Sequence, residues 1–330
     1  MRLREAYGLV ACFAVVSGVS VAGSLLALSS TSCSTTTPRE CTVGAQCPSG
    51  ACLQDGVCAP VATSDAGEDA ITSADSGMPV TDASADTHPA PPPEDGGCLP
   101  DDAGEISRAQ VFFQAGLHAT YRVAQNVTVN TAGTMNANGS RTWDYSGPLQ
   151  GDMDVLVTTL PITGSWYSSS FPGAGYSSQL SPTEPLLGVF TANPSSLVLN
   201  GVVSETSGTT QTEVTYAPPA TTLSFPMSMG SSWTSTSTIT GTADGIPDTE
   251  YTEEYQSSVD AEGTLITPYA TFPVLRVAVL LTRTVDFIPT TTRSFIFMTA
   301  CFGSVATVTS NSNETTAEFT TAAVIQRLAP

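Results

Sequence analysis

The side chains that could do chemistry are few in this chain of 330 residues. All ten basic residues are arginine, and no lysine occurs. Schiff-base chemistry and phosphate binding by a P-loop lysine are therefore excluded, because both need a lysine amine. Histidine occurs as His88, in a proline-rich stretch, and as His118. The patterns G-x-S-x-G, H-E-x-x-H and C-x-x-C and the EF-hand loop are absent from the sequence.

Two constellations could still support hydrolysis. A Ser-His-Asp site would have to use His118, but the alternation of its segment places it on the polar face of a strand, as is typical of an exposed histidine. Asp152 and Asp154 are spaced to share one strand face, and a pair of carboxylates is what glycoside hydrolysis needs. We therefore do not favour an enzyme, and we keep a carbohydrate-active enzyme as an alternative.

The candidate metal ligands are Asp244, Asp248 and Glu250. The run from Asp244 to Asp248 resembles one half of the calcium-binding loops of thrombospondin-type repeats. A set of oxygen ligands alone suits calcium. The competing interpretation is an acidic hairpin turn without a metal. No other cofactor is expected.

Aromatic side chains could line a pocket or a sugar-binding surface. In an all-β domain such residues more often pack in the core or at sheet edges, and we favour that interpretation. The set comprises Trp143, Trp166, Trp233, Tyr167, Tyr176 and Phe190.

The N-terminus has the order of a bacterial export signal. Arg2 and Arg4 precede an apolar run over residues 8–28, followed by small polar residues. We predict a signal peptide over residues 1–32, and Cys33 stands where a lipoprotein carries its acylated cysteine. Cleavage without lipidation and an uncleaved signal anchor remain open alternatives. The expected location is the outer membrane or the cell surface of a bacterium, with a lipid anchor in the membrane.

Residues 33–59 form a cysteine-rich segment with very little to bury. Cys41, Cys47, Cys52 and Cys58 lie within eighteen residues, interrupted by glycine and proline. Disulfide bonds are favoured over zinc, because paired C-x2-C knuckles are missing and the expected compartment is oxidising. Three pairings are open, and we favour Cys41 with Cys52 and Cys47 with Cys58.

Residues 60–104 read as a disordered acidic linker of Asp, Ala, Ser, Thr and Pro. Such a segment cannot bury enough apolar surface to fold, and its like charges extend it. The linker carries much of the net charge of −20. This acidic balance argues against nucleic acid as a partner, because binding to phosphates needs clustered cations. Cys98 near its end and Cys301 remain as a pair, and we predict a disulfide bond between them.

Residues 105–330 change to an alternating pattern typical of strands. The alternation predicts about ten short strands separated by Gly, Pro, Asn and Asp clusters. One convincing helix is predicted, over residues 105–115, with Gly116 as its stop. The predicted fold is all-β: a single large antiparallel curved sheet, half-barrel or sandwich, behind a small disulfide knot and a disordered linker. Strands are expected over residues 117–129, 153–160, 197–203, 212–216, 232–240, 251–261, 274–285, 293–298 and 305–309.

The C-terminal domain resembles that of exported envelope proteins of myxobacteria. The resemblance rests on a proline-led strand at 216–219, a Gly-Ser-Ser-Trp turn at 230–233 and a Thr-Pro and Phe loop that leads into Leu275-Arg276-Val277. It is good over residues 214–308 and weaker before them. It implies an antiparallel curved sheet like that of lipoprotein carriers, and it implies no activity.

These features predict a tethered envelope protein whose β domain is the functional part. We expect a non-enzymatic binding or carrier module for a hydrophobic ligand or an envelope protein. The motivating feature is a β domain without a catalytic constellation. A structural or adhesive surface protein is the first alternative, since a tether alone would serve that role.

Overall fold

The computed structural model describes residues 104–181 and 185–330. The predicted signal peptide, the cysteine-rich segment and the linker up to residue 103 lie outside the described residues. Cys33, Cys41, Cys47, Cys52, Cys58 and Cys98 lie outside them as well. Within the described part of the chain, no helix is both long and apolar enough to cross a membrane.

The described residues are almost entirely β structure, as predicted, and most strands belong to one large sheet. Its neighbouring strands are antiparallel except for β4, which pairs in parallel with β12. The strands are β1 (Glu105–Ile106), β2 (His118–Thr128), β3 (Thr134–Met135), β4 (Arg141–Asp144), β5 (Met153–Thr158), β6 (Tyr176–Gln179), β7 (Leu186–Asn193), β8 (Ser196–Ser204), β9 (Glu213–Ser224), β10 (Met227–Ser228), β11 (Ser232–Ala243), β12 (Ile246–Ile266), β13 (Thr271–Val285), β14 (Ile288–Thr299), β15 (Gly303–Ser310) and β16 (Thr321–Leu328).

The large sheet curls until its two ends almost meet. Its order is β5-β2-β16-β15-β14-β13-β12-β11-β9-β8-β7-β6, with β4 beside β12 and β3 beside β4. An isolated bridge between Leu160 and Ser177 links the β5 end to the β6 end. The predicted single curved sheet is therefore confirmed, in a nearly closed, barrel-like form.

The sheet is covered on both faces along its central strands. In β13, Leu275, Val277 and Val279 point to the inside of the curl, into a cluster shared with β7, β8 and β9, which we call the inner core. Val274 and Phe272 point outward, into a second cluster with Trp143 of β4, which we call the outer core. Burial on both faces explains why β13 is apolar at consecutive positions.

The segment that precedes β2 is packed into the inner core. The helix predicted over residues 105–115 is wrong: Ile106 pairs with Met227 in a short ladder, and only Arg108–Gln110 forms one turn of 3₁₀ helix. Val111 is 1% exposed, and Phe113 packs on Phe225 with ring centroids 6.0 Å apart. An extended segment can pair its backbone with β10 while it buries these side chains, which a helix could not do.

Strand β9 continues through two prolines, although its predicted strand ends at Tyr216. Between β8 and β9 the register shifts, so that Gly201 lies opposite Thr215 while Leu199 lies opposite Ala220. Pro218 and Pro219 fall within this irregularity. Proline is tolerated there because no ladder hydrogen bond is required of its nitrogen.

Candidate functional site

The most concentrated set of charged groups surrounds Arg276, on the outer face of β13. Its side chain is only 2% exposed. The guanidinium donates to both oxygens of Asp260, at 2.9 and 2.8 Å, and to both oxygens of Glu318, at 3.1 and 2.7 Å. It also donates to the Thr131 carbonyl and lies 4.1 Å from the ring centroid of Phe295. One buried cation thus holds together two carboxylates that are distant from each other in the sequence.

A β-bulge positions the first of these carboxylates. Val259 of β12 lies opposite Val277, whereas Ala261 lies opposite Arg276, so Asp260 is the extra residue. A bulge of this kind redirects a side chain toward a neighbouring site. Glu318 arrives from the loop between β15 and β16. Their carboxylates remain about one-third exposed, so they present their charge to solvent beside a buried cation.

An open groove of about 640 Å³ begins beside this cluster. Parts of the outer face of the sheet are covered, by β3 and β4 over the outer core and by residues 160–174 over β7 and β8. Over β11 to β14 it is open to solvent. Small and polar side chains form the floor, with Asp260, Glu318 and Arg293 at the rim; the floor comprises Ser232, Thr234, Gln256, Ser258, Ala278 and Leu280.

Glu318 does not have the raised pKa that the general acid of a glycosidase requires. Asp260 and Glu318 each accept a hydrogen bond from Nη2 of Arg276, so their accepting oxygens lie within two hydrogen-bond lengths of each other. This separation is close to the ~5 Å between the two carboxyl groups of retaining glycosidases. Burial raises the pKa of Glu318, but hydrogen bonds and charge from Arg276 outweigh burial and hold that pKa below its usual range. A general acid needs a raised pKa. The arrangement favours binding over acid catalysis.

A second buried ion pair lies on the inner face of the sheet. Glu253 of β12 is fully buried and accepts hydrogen bonds from Arg283 at 2.9 and 2.7 Å. Its other oxygen accepts from the hydroxyls of Tyr216, at 3.0 Å, and Tyr255, at 2.6 Å. Burial by itself lowers the pKa of Arg283. The charge of Glu253 has the larger opposite effect, so the pKa of Arg283 lies above its usual range. This network is enclosed by the inner core and has a stabilising role.

Buried tyrosines predict how stability depends on alkaline pH. Burial raises the pKa of Tyr121 from 10.0 to about 12, and burial also raises that of Tyr216. A raised folded-state pKa gives stability that is complete below pH 10.0 and is lost as the pH rises through the folded value. We expect the urea midpoint to fall between pH 10 and about 12, with phenolate absorbance rising in the same range.

The matched variant for this test is Tyr121→Phe. Burial raises the pKa of its phenol to about 12, and its hydroxyl donates to the Ser304 carbonyl at 2.7 Å. Without that phenol, the loss of stability per pH unit should be smaller. An identical pH profile for both chains would contradict the assignment.

The hydrolytic candidates of the sequence have different surroundings. His118 is exposed at the start of β2, opposite Thr158. Asp152 is bound by Arg327, a fully buried residue, whereas Asp154 is bound by the partly exposed Arg122. The structure therefore gives the two aspartates separate structural partners.

The candidate calcium residues lie at and beside the β11–β12 hairpin turn. Asp244 and Gly245 occupy the turn with φ of 50° and 75°, as in a two-residue hairpin of the Asp-Gly type. Asp248 follows in β12, and Glu250 lies opposite Thr240. Among the described residues, no group of three or more His, Cys, Asp or Glu side chains is close enough to hold a metal ion. Calcium binding here stays a prediction.

The aromatic candidates are packing residues. Trp143 is 1% exposed and lies edge-on to Phe297. Tyr176 stacks on Phe190 with centroids 5.4 Å apart, and Tyr167 is buried. Trp166 and Trp233 are partly buried against two of the apolar clusters. No surface of stacked aromatic rings is formed by this set.

Cys301 is the only cysteine among the described residues. It follows β14, is buried, and adopts a φ of 72°. Its amide donates to the Gln110 carbonyl at 2.7 Å, which fastens the turn to the segment before β2. The pairing with Cys98 stays a prediction.

The sequence interpretation did not identify the cluster of Arg276, Asp260 and Glu318. It also did not identify Glu253 as a buried carboxylate. A signal was present for two of them. An arginine inside the apolar run of β13 indicates a buried cation that needs carboxylates. Consecutive Glu253 and Glu254 in a strand must point to opposite faces, so one of them must face the core.

No protein-family model matches the sequence, and neither a curated protein nor a solved structure is significantly similar to it. The resemblance to myxobacterial envelope proteins stays a prediction.

Proposed function

We propose that this chain is an exported envelope protein, anchored by lipid at Cys33 at the bacterial outer membrane or cell surface, whose β domain is a non-enzymatic binding module. The export signal and the acidic linker of the sequence support the tethered placement. The observation that carries the binding role is the open groove beside Arg276, Asp260 and Glu318.

The packing supports an envelope protein as partner over a hydrophobic ligand. A carrier for a hydrophobic ligand would hold it inside the curl of the sheet. The part of that space between β6–β9 and β11–β14 is occupied by the inner core, to which Val111 and Phe113 also contribute. The groove on the outer face is instead polar and open, which suits a segment of another protein.

The groove offers its partner fixed acceptors. Asp260 and Glu318 expose about a third of their side chains, while the cation between them is buried. The carboxylates are held in place by bidentate hydrogen bonds, so little side-chain entropy is lost when a partner donates to them. A partner segment that carries arginine, lysine or amide donors fits this rim.

Site-specific photocrosslinking in the native envelope tests the proposal. A photoreactive amino acid at Thr234, on the exposed groove floor, should give one discrete adduct with another envelope protein. The same group at Thr128, an exposed position of β2, is the control and should give none. Ser258→Tyr fills the groove from the outer face and should reduce the Thr234 adduct several-fold without lowering the melting temperature.

Two results would overturn the binding role. Equal labelling from Thr234 and Thr128 would show that contact is not specific to the groove. Absence of any adduct, together with normal envelope insertion, would favour the structural alternative, in which the tether alone matters.

A further inference from the structure

The dipeptide Asn-Gly occurs twice in the sequence, at Asn138-Gly139 and at Asn200-Gly201. In this dipeptide the glycine nitrogen can attack the side-chain amide carbon of the asparagine, because the two groups are neighbours and glycine has no Cβ to hinder the approach. Asparagine counts among the thermolabile residues of proteins. The structure gives the two copies opposite surroundings, and these decide which copy can react in the folded chain.

Asn138 lies in the loop of the β3–β4 hairpin. The Gly139 amide donates to the Asn136 carbonyl at 3.0 Å, and the Asn136 amide donates to the Ser140 carbonyl at 2.8 Å. Gly139 has a φ of 88°, as in three-residue hairpin loops that end in a left-handed residue. The loop is exposed to water over residues 137–139. It opens easily, because β3 contributes only two residues to the hairpin.

The side chain of Asn138 is held only by exposed contacts within this loop. Its Oδ1 accepts hydrogen bonds from the amide of Ser140, at 3.1 Å, and from the hydroxyl of Ser140, at 2.8 Å. Both hydrogen bonds are exposed, so water replaces them at little cost when the loop opens. Rotation of the Asn138 backbone then brings the Gly139 nitrogen to Cγ.

Asn200 is held inside the sheet, in β8 between β7 and β9. Its side-chain amide donates to the Thr191 hydroxyl at 2.9 Å and to the Val189 carbonyl at 3.3 Å. Gly201 has a ladder partner on both neighbouring strands, and a Cβ at this glycine would clash with the ring of Phe171. The peptide between Asn200 and Gly201 therefore cannot rotate unless this part of the sheet opens.

We propose that Asn138 is a site of spontaneous covalent modification in the folded protein. The Gly139 nitrogen forms a bond to Cγ of Asn138 and gives its proton to solvent. The bond between Cγ and Nδ2 breaks, and ammonia leaves with a proton taken from solvent. Water then opens the imide ring at either of its two carbonyl carbons, which gives aspartate or isoaspartate. The reaction consumes one water, releases one ammonia and involves no oxidation or reduction.

The modification changes the charge of a cavity of about 260 Å³ that Asn138 and Ser140 line. Glu105 of β1 and Glu262 of β12 line the same cavity. A neutral amide at its edge becomes a carboxylate, which adds to the charge of these two residues. Isoaspartate also passes the main chain through the former side-chain carbon and so alters the loop. Modified and unmodified chains therefore differ in charge and loop shape beside β1.

Peptide mass spectrometry after incubation in heavy-oxygen water tests the site. The full chain is kept folded in mildly alkaline buffer and digested in acid, and uptake of solvent oxygen is followed in both Asn-Gly peptides. In the folded chain, Asn138 should convert about tenfold faster than Asn200 or more, because only Asn200 needs the sheet to open. In urea the two rates should agree within a few-fold, so Asn200 is the internal control.

The variant Gly139→Ala tests the nucleophile. Its Cβ hinders the attacking nitrogen, so conversion of Asn138 should slow about tenfold, with Asn200 unaffected. Among the described residues, no atom beyond the chain neighbours lies within 4 Å of that Cβ. The same comparison in urea removes the effect of the positive φ at this position.

Four results would overturn the proposal. The first is that Asn138 stays unmodified in the folded chain while it converts in urea. The second is that Asn200 converts as fast as Asn138 in the folded chain. The third is that Gly139→Ala leaves the rate at Asn138 unchanged. The fourth is a product that contains aspartate without isoaspartate, because direct hydrolysis of the amide gives aspartate alone.

Discussion

Replacing Arg276 by methionine should lower the free energy of unfolding by about 3–5 kcal/mol, the largest loss expected from any single charge in the domain. The substitution keeps an unbranched apolar stem but removes the guanidinium, and it leaves Asp260 and Glu318 facing each other without their cation. It also removes the donor to the Thr131 carbonyl and the contact with Phe295. Urea denaturation followed by tryptophan fluorescence measures the change.

Two further variants make this result specific. Arg276→Lys keeps the charge but cannot bond both carboxylates in bidentate fashion, so it should recover only a minor part of the loss. Arg122→Met removes a cation from an exposed pair with Asp154 and should leave the urea midpoint unchanged within error. Arg276→Met and Arg122→Met chains of equal stability would show that the Arg276 cluster does not hold the outer face together.

Glu253→Gln should cost about 3 kcal/mol, because it leaves the guanidinium of Arg283 without a counter-charge inside the inner core. The amide fills the same volume, so loss of packing does not contribute. Tyr216 and Tyr255 would also lose a charged acceptor for their hydroxyls. The measurement is again the free energy of unfolding in urea.

The adjacent residue supplies the matched control for this prediction. Glu254 differs from Glu253 by one position along β12 and points to the opposite face, where it bonds to Gln256 near solvent. Glu254→Gln should therefore have little effect. A loss of similar size in both variants would mean that removal of a charge from β12 matters regardless of burial, contrary to the structure.

Alternation of apolar and polar residues predicted the position of a strand where one of its faces is less covered than the other. Strand β11 alternates, and the predicted strand at 232–240 lies within Ser232–Ala243. The pattern missed five strands of two to four residues, β1, β3, β4, β6 and β10, and two of eight residues, β7 and β16. β7 and β16 contain almost no alternation. Ala322, Ala323, Val324 and Ile325 are all buried, because apolar or buried structure covers both faces of β16.

The predicted helix failed for a complementary reason. Ile106 and Phe113 have helical spacing, but both are buried against the chain around β10: Ile106 pairs with Met227, and Phe113 packs on Phe225. Burial against distant strands stabilises an extended segment more than one short helix is stabilised by local propensity. Helical spacing in a short segment is weak evidence when a large sheet can bury the same side chains.

The sequence by itself determined the class of the fold, because hydrophobic alternation and turn residues act locally and persist through the whole domain. It also determined that lysine chemistry is absent and that the charge is strongly acidic. Only the tertiary structure decided which arginines are buried and which carboxylates they hold. Asp260 and Glu318 lie far apart along the chain, and a bulge and a loop bring both to Arg276. Such a cluster depends on strand register, which is set by the packing of the complete sheet.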